Sequence, residues 1–241
     1  MPQRLQFNLR ALLVAVTVIA IWLGIEASRA RRQRAVVLAI QQAGGAVRYS
    51  WELDDNDQET GATHPPGPPW LRQIVGDDYF QTVVAVFIVE VPIKDQELPP
   101  VEYLPDLRTL AVGTTRIGNA SLPRISRTKR LRFLDIGETA VTDAGMRSIA
   151  QITTLKILWV GTWAAPPERA ITDSGIRRLA PLVNLEVLHL AGRGVTDSSV
   201  PALGNFKKLR ELRFTHTAVT NDGIERLAKS LPKCEVTCGE P

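Results

Sequence analysis

From residue 83 onward, apolar residues fall into columns spaced 24 apart. Leu107, Leu131, Leu155, Leu185 and Leu209 each open a segment whose fourth and sixth residues are also apolar, and Val83 opens an earlier one. The single longer interval, between Leu155 and Leu185, contains Trp163 to Ala170, and removing six residues there restores the phase. Counted from each opening residue, position four reads Val86, Leu110, Leu134, Leu158, Leu188, Leu212, and position six reads Ile88, Val112, Ile136, Val160, Leu190, Phe214. Positions 11, 16 and 19 are apolar in all six segments. Apolar residues two apart predict a strand; those at 16, 19 and usually 22 predict one face of a short helix. The chain therefore reads as α/β: six strand-helix units of 24 residues, each stacking on the next to bury a face that it cannot bury alone.

Between strand and helix stand Thr142-Asp143-Ala144-Gly145, Thr172-Asp173-Ser174-Gly175, Thr196-Asp197-Ser198-Ser199 and Thr220-Asn221-Asp222-Gly223. An oxygen from Thr or Asp at that place can accept from the free N–H groups that begin a helix, so capping of the unit's own helix is expected of both. The pattern resembles the leucine-rich repeat family, in the bacterial form L-x-x-L-x-L-x-x-T-x-[VI]-T-D-x-G, from Val83 to about Cys238. It departs at position nine. Where many members carry an Asn or Cys ladder, this chain has Thr115, Thr139 and Thr217, interrupted by Val91, Trp163 and Arg193, so turn hydrogen bonds fall to hydroxyls or backbone. The resemblance implies a right-handed solenoid, and the whole layout is similar to small bacterial membrane-anchored leucine-rich repeat proteins.

Upstream the pattern changes. A short basic tail (1–10) leads into fifteen uncharged residues, 11–25, which are read as a hydrophobic membrane helix starting near Leu5 if tilted. An arginine-rich helical stalk follows (26–45), free of Gly and Pro until Gly44 and Gly45. An N-terminal cap is expected at 46–82, with a strand from Ala46 and an amphipathic helix around Trp70 to Ile74. Six repeats (83–232, with the insertion near 163–170) and a C-terminal cap (233–241) complete the layout, Val236 and Cys238 continuing the fourth and sixth columns. Leader cleavage near Ala27 lacks an Ala-x-Ala site and would expose an arginine cluster, so a single-pass anchor is favoured over a removed signal. The positive-inside count places the repeats in the cytoplasm, whereas a cleaved signal would place them outside.

Charge sharpens this division. The net +4 concentrates at the N-terminus: Arg4, Arg10, Arg29, Arg31, Arg32 and Arg34 face one acid, Glu26, and the remainder is near neutral. The basic pI is thus a lipid signal, with Arg29, Arg31, Arg32 and Arg34 at the headgroups, and gives no reason to expect nucleic acid. Arg124, Arg127, Lys129, Arg130 and Arg132 cluster where a helix meets the next strand and read as a solvated convex surface. The acidic run Glu52, Asp54, Asp55, Asp57, Glu59 fails the EF-hand pattern, because the position needing Gly holds Thr60 and that needing Glu holds Pro66. A solvated loop is expected there, with weak calcium binding as the alternative. Cys234 and Cys238 would lie about 13 Å apart on an extended strand, beyond disulfide reach, and packing of Cys238 is expected. With three histidines and no hydrolase or phosphate-loop signature, no catalytic residue, metal ligand or cofactor is assigned.

The remaining surface is the inner, concave face of the solenoid. Positions three and five alternate with the buried columns and point away from the core. They place Phe133, Ile157, Trp159, Val187 and His189 in one apolar patch, with Asp135 on one side and Glu211 and Arg213 on the other. Apolar surface with a polar rim suggests non-enzymatic binding of a protein or peptide; cover by the loop carrying Trp163, Pro166 and Pro167 is the competing reading. A self-associating envelope spacer with no dedicated ligand is the alternative function.

Overall fold

The computed structural model describes residues 9–55, 57–163 and 171–239. Eight strands form one sheet in chain order: β1 (Ala46–Tyr49), β2 (Val83–Phe87), β3 (Thr109–Ala111), β4 (Phe133–Gly137), β5 (Ile157–Gly161), β6 (Val187–Ala191), β7 (Glu211–Thr215) and β8 (Glu235–Gly239). β1 pairs antiparallel with β2; every later pair is parallel, with Leu110, Leu134, Leu158, Leu188, Leu212 and Val236 in one line of register. Columns four and six are buried throughout 83–214. A parallel neighbour needs a crossover, and here each crossover returns on one side of the sheet.

The crossovers are short. They carry α3 (Leu122–Ile125), α4 (Met146–Ile149), α5 (Asp173–Arg178), α6 (Val200–Leu203) and α7 (Asn221–Ser230), each packed on the next. In the first crossover Leu98, Val101 and Leu104 are buried as predicted, but the helix is reduced to a 3-10 turn (Val101–Tyr103) that carries Val101 alone.

Every strand must then turn, and the residue that turns it is left-handed. Glu90, Thr114, Glu138, Gly192 and His216 occupy position eight with φ of 60°, 55°, 53°, 110° and 52°. In the unit carrying the insertion the left-handed residue is Gly161, one place earlier, where a Cβ would collide with the Ala191 backbone. The hydroxyls of Thr115 and Thr139 donate to the carbonyls of Val112 and Ile136 at 2.7 Å each, so position nine closes its own turn.

The N-terminal helix α1 (Leu9–Gln42) has two halves of different exposure. From Leu12 to Ile25 its apolar side chains are exposed, and its mean hydropathy of 2.1 over the best window makes it long and apolar enough to cross a membrane. Beyond Arg29 it stops behaving as a separate stalk. Ala30, Gln33, Val36, Val37 and Ile40 share a face and are buried against the first strand unit, so this stretch caps the core. Gln33 completes the joint: its Nε2 donates to the carbonyl of Gln81 at 3.0 Å, and its Oε1 accepts from the N–H of Val83 at 3.1 Å.

Because α1 takes that end of the core, the expected amphipathic helix has nothing to cover. α2 (Pro69–Val75) forms but buries no residue, leaving Trp70 and Ile74 exposed. The 1–8 tail and most of the insertion (164–170) lie outside the described residues.

Candidate functional site

The inner face is built by the strand alternation. Phe133, Ile157, Val187 and Glu211 pair in one register line; Asp135, Trp159, His189 and Arg213 pair in the next. Parallel strands repeat at about 4.8 Å, which is also a ring-stacking distance. Accordingly Trp159 and His189 stack with centroids 4.8 Å apart and planes at 10°, while Phe133 meets the Trp159 ring edge-on at 5.4 Å and 68°. Trp159 is 38% exposed; Phe133, Ile157, Val187 and His189 are half-buried.

The polar rim is asymmetric. His189 Nε2 lies 2.9 Å from Glu211 Oε1, and Arg213 Nη2 lies 3.5 Å from the same oxygen. Glu211 thus holds the imidazole from one side while Trp159 holds it from the other. On the opposite rim Asp135 turns inward, accepting from the N–H of Gly137 at 2.9 Å. Burial pushes its carboxyl pKa above the usual range, against the pull of that hydrogen bond and of His189. A small cleft of about 100 Å³ opens beside Asp135, Trp159 and His189.

Trp163 marks the edge at which the strands finish. It is 61% exposed, its backbone N–H donates to Glu138 Oε1 at 3.2 Å, and its ring lies 5.7 Å from that of His216. Thr162 Oγ1 donates to the other Glu138 oxygen at 2.7 Å. Glu138 therefore clasps the base of the insertion, a role that position eight did not advertise in sequence. Pro166 and Pro167, on which cover of the inner face depends, lie outside the described residues.

The Asp residues of the capping segments do something other than cap. Thr172, Thr196 and Thr220 accept from the N–H groups of Ser174, Ser198 and Gly223, so the threonines cap. Asp143, Asp173 and Asp197 instead accept both the N–H and the hydroxyl of the threonine one unit later, all at 2.6 to 2.8 Å. Asn119 bridges to Thr142 with one bond reversed, its Oδ1 accepting from the Thr142 N–H and its Nδ2 donating to the hydroxyl, and Asp95 reaches Gly118 and Ser121. A repeat of 24 residues brings each Asp beside the next Thr, which makes the row a set of staples between units.

Two other expectations, on Cys238 and on the basic cluster, are corrected. Cys238 lies in register with Phe214 but is exposed, because β8 pairs with β7 on one side only. The acidic loop is exposed, and arginines hold it to the edge of the sheet: Arg108 Nη1 lies 3.5 Å from Asp55, its Nε lies 3.3 Å from Asp57, and Arg132 donates to the Asp55 carbonyl at 2.7 Å. Within the basic cluster, Lys129, Arg130 and Arg132 line the edge at which the strands start rather than the helical face.

A family model described as Leucine Rich repeat matches residues 207–228. No curated protein matches the chain. Among solved structures, a leucine-rich repeat protein of Leptospira interrogans aligns at 19% identity with a TM-score of 0.43, over 63% of this chain and 34% of its own. An internalin of Listeria monocytogenes aligns at 17% identity with a TM-score of 0.39, over 76% and 60%. This chain spans less than two thirds of either. The segment matched by the family model is a leucine-rich repeat, and it carries the same apolar columns as the units before it.

Proposed function

We propose that this is a membrane-anchored leucine-rich repeat scaffold: six repeats of 24 residues wound as a right-handed solenoid on a single transmembrane helix, binding a protein or peptide without catalysis. Leucine-rich repeats in general act through protein contacts. The observation that carries the reading is the Phe133–Trp159–His189 stack, a preordered aromatic row whose central ring is the most exposed. Preordering lowers the entropic cost of presenting that surface, and aromatic anchors with a charged rim dominate protein contacts. His189 engages Glu211 and Trp159, an arrangement that positions a ring rather than activates a nucleophile. Phe133, Asp135, Ile157, Trp159, Val187, His189, Glu211 and Arg213 form the proposed contact surface.

The test places a photo-crosslinking amino acid at Val187 in the full chain, in its native membranes. A discrete adduct that disappears with Trp159→Ala supports the reading. An adduct pattern identical in the two proteins, or matching that of a crosslinker at Arg193 off the face, removes the patch from consideration.

A further inference from the structure

The direction of α1 fixes how the solenoid meets a bilayer. The end of α1 lies at the finish of β2, where Gly45 abuts Phe87 and Ile88. Twelve residues earlier Gln33 sits at the start of β2, bonded to Val83. Earlier still, Arg29 pairs with Asp106, in the loop before β3, and that carboxylate also accepts from Arg130 at 2.9 Å. Tyr103 and Pro105 stand beside Ile21, Gly24 and Ile25. The helix therefore runs along β2 in the strand direction, and its exposed apolar half projects past the edge at which the parallel strands start.

That edge holds an open trough of about 900 Å³ lined by Lys129, Arg130, Arg132, Lys156 and Lys208 together with Asp54, Asp55, Asp106 and Glu186. Some of this charge is balanced, Lys156 by Glu186 and Arg108 by the acidic loop. Among the described residues, Lys129, Arg132 and Lys208 have no carboxylate within ion-pair distance. Two apolar side chains protrude from the loops of the same edge, Tyr103 at 57% and Val183 at 60% exposure. The finishing edge carries Glu90 and Glu138 with Arg116 beside them, and Val89 and Trp163 protrude from it.

We infer that the strand-start edge of the solenoid is a lipid-facing surface that lies against anionic headgroups, with Tyr103 and Val183 at the interface. The inference rests on α1 crossing the membrane. Basic residues held close to an anionic leaflet are attracted within a Debye length, and tyrosine favours the headgroup level. Arg29 and Arg130 on one carboxylate tie the helix to this edge, so insertion of the helix brings Lys129 and Arg132 within reach of the surface, where their charge holds the edge down. The solenoid then stands with its inner face open sideways to a partner.

The full chain, with Cys234→Ser and Cys238→Ser, is reconstituted into nanodiscs of phosphatidylcholine with or without phosphatidylglycerol. A nitroxide is attached at Val183→Cys or, on the finishing edge, at Ala140→Cys, and its relaxation by a nickel-chelating lipid is measured. We expect several-fold stronger relaxation at 183 than at 140 in anionic discs, and loss of most of that difference in a Lys129→Glu, Arg132→Glu, Lys208→Glu variant. Equal relaxation at both sites in a chain that has inserted overturns this inference alone. A chain that stays out of the discs overturns the anchoring on which it rests.

Discussion

Asp173 accepts both the N–H and the hydroxyl of Thr196, at 2.8 and 2.7 Å, and this single side chain joins two turns of the solenoid. The hydroxyl of Ser199 donates to it as well. Asp173→Ala leaves Ser199, which is buried, and the Thr196 N–H without that acceptor, and should cost about 1–3 kcal/mol in chemical denaturation. Asp173→Asn should cost less, because Asn119 already serves the same place with contacts to Thr142 at 2.9 and 3.0 Å. Equal losses from Ala and Asn would show that the charge, not the hydrogen-bond geometry, holds the units together.

Gln33 offers a separate test of whether the lower half of α1 belongs to the fold. Gln33→Leu keeps an apolar stem but leaves the Gln81 carbonyl and Val83 N–H unpaired, for an expected loss of about 1–3 kcal/mol. Faster hydrogen exchange at Val83 should accompany it. Unchanged exchange there would mean that the helix is a tether and not a cap.

Acid should loosen the solenoid through particular carboxylates. Hydrogen bonds from Thr220 hold the Asp197 carboxyl below its ordinary value, and the Lys156 hydrogen bond does the same for Glu186. A folded pKa below the unfolded one contributes stability that is present above the unfolded pKa and lost as pH falls through the folded one. Denaturation midpoints should therefore drop as pH is lowered from about 5 toward 2, and Asp197→Asn should flatten part of that drop. Asp135 works in the opposite sense: burial raises its pKa, so its ionisation opposes folding as pH rises above the unfolded value.

Cys234 should be a poor nucleophile. Burial, with Glu211 and Glu235 nearby, pushes its thiol up to about 11, so little thiolate exists near pH 8. Alkylation followed by mass spectrometry should show Cys234 modified slowly, with a rate still climbing toward pH 11. A rate already level at pH 8 would contradict the environment described for it.

Period and alternation made the scaffold legible before any coordinates. A column such as Leu134 or Ile136 is apolar because it must be buried in every unit, and a constraint repeated at fixed spacing shows in one sequence. The same alternation placed Phe133, Trp159 and His189 on the opposite face. Whatever depends on two units at once was hidden. Asp173 looks like a capping residue within its own segment, and only stacking brings Thr196 to it. The arginines of the stalk read as lipid contacts, yet Arg29 is held by Asp106, 77 residues away in the chain.

The sequence alone thus determined the repeat, its strand and helix faces and the apolar stretch from Ala11 to Ile25, since these follow from local spacing and the cost of exposing apolar surface. Tertiary structure decided that α1 caps the core, that Cys238 is exposed, that Glu138 clasps the base of the insertion, and which edge of the sheet faces the same way as the apolar half of α1. Those outcomes depend on which surface is covered first, and cover is settled by packing between distant segments.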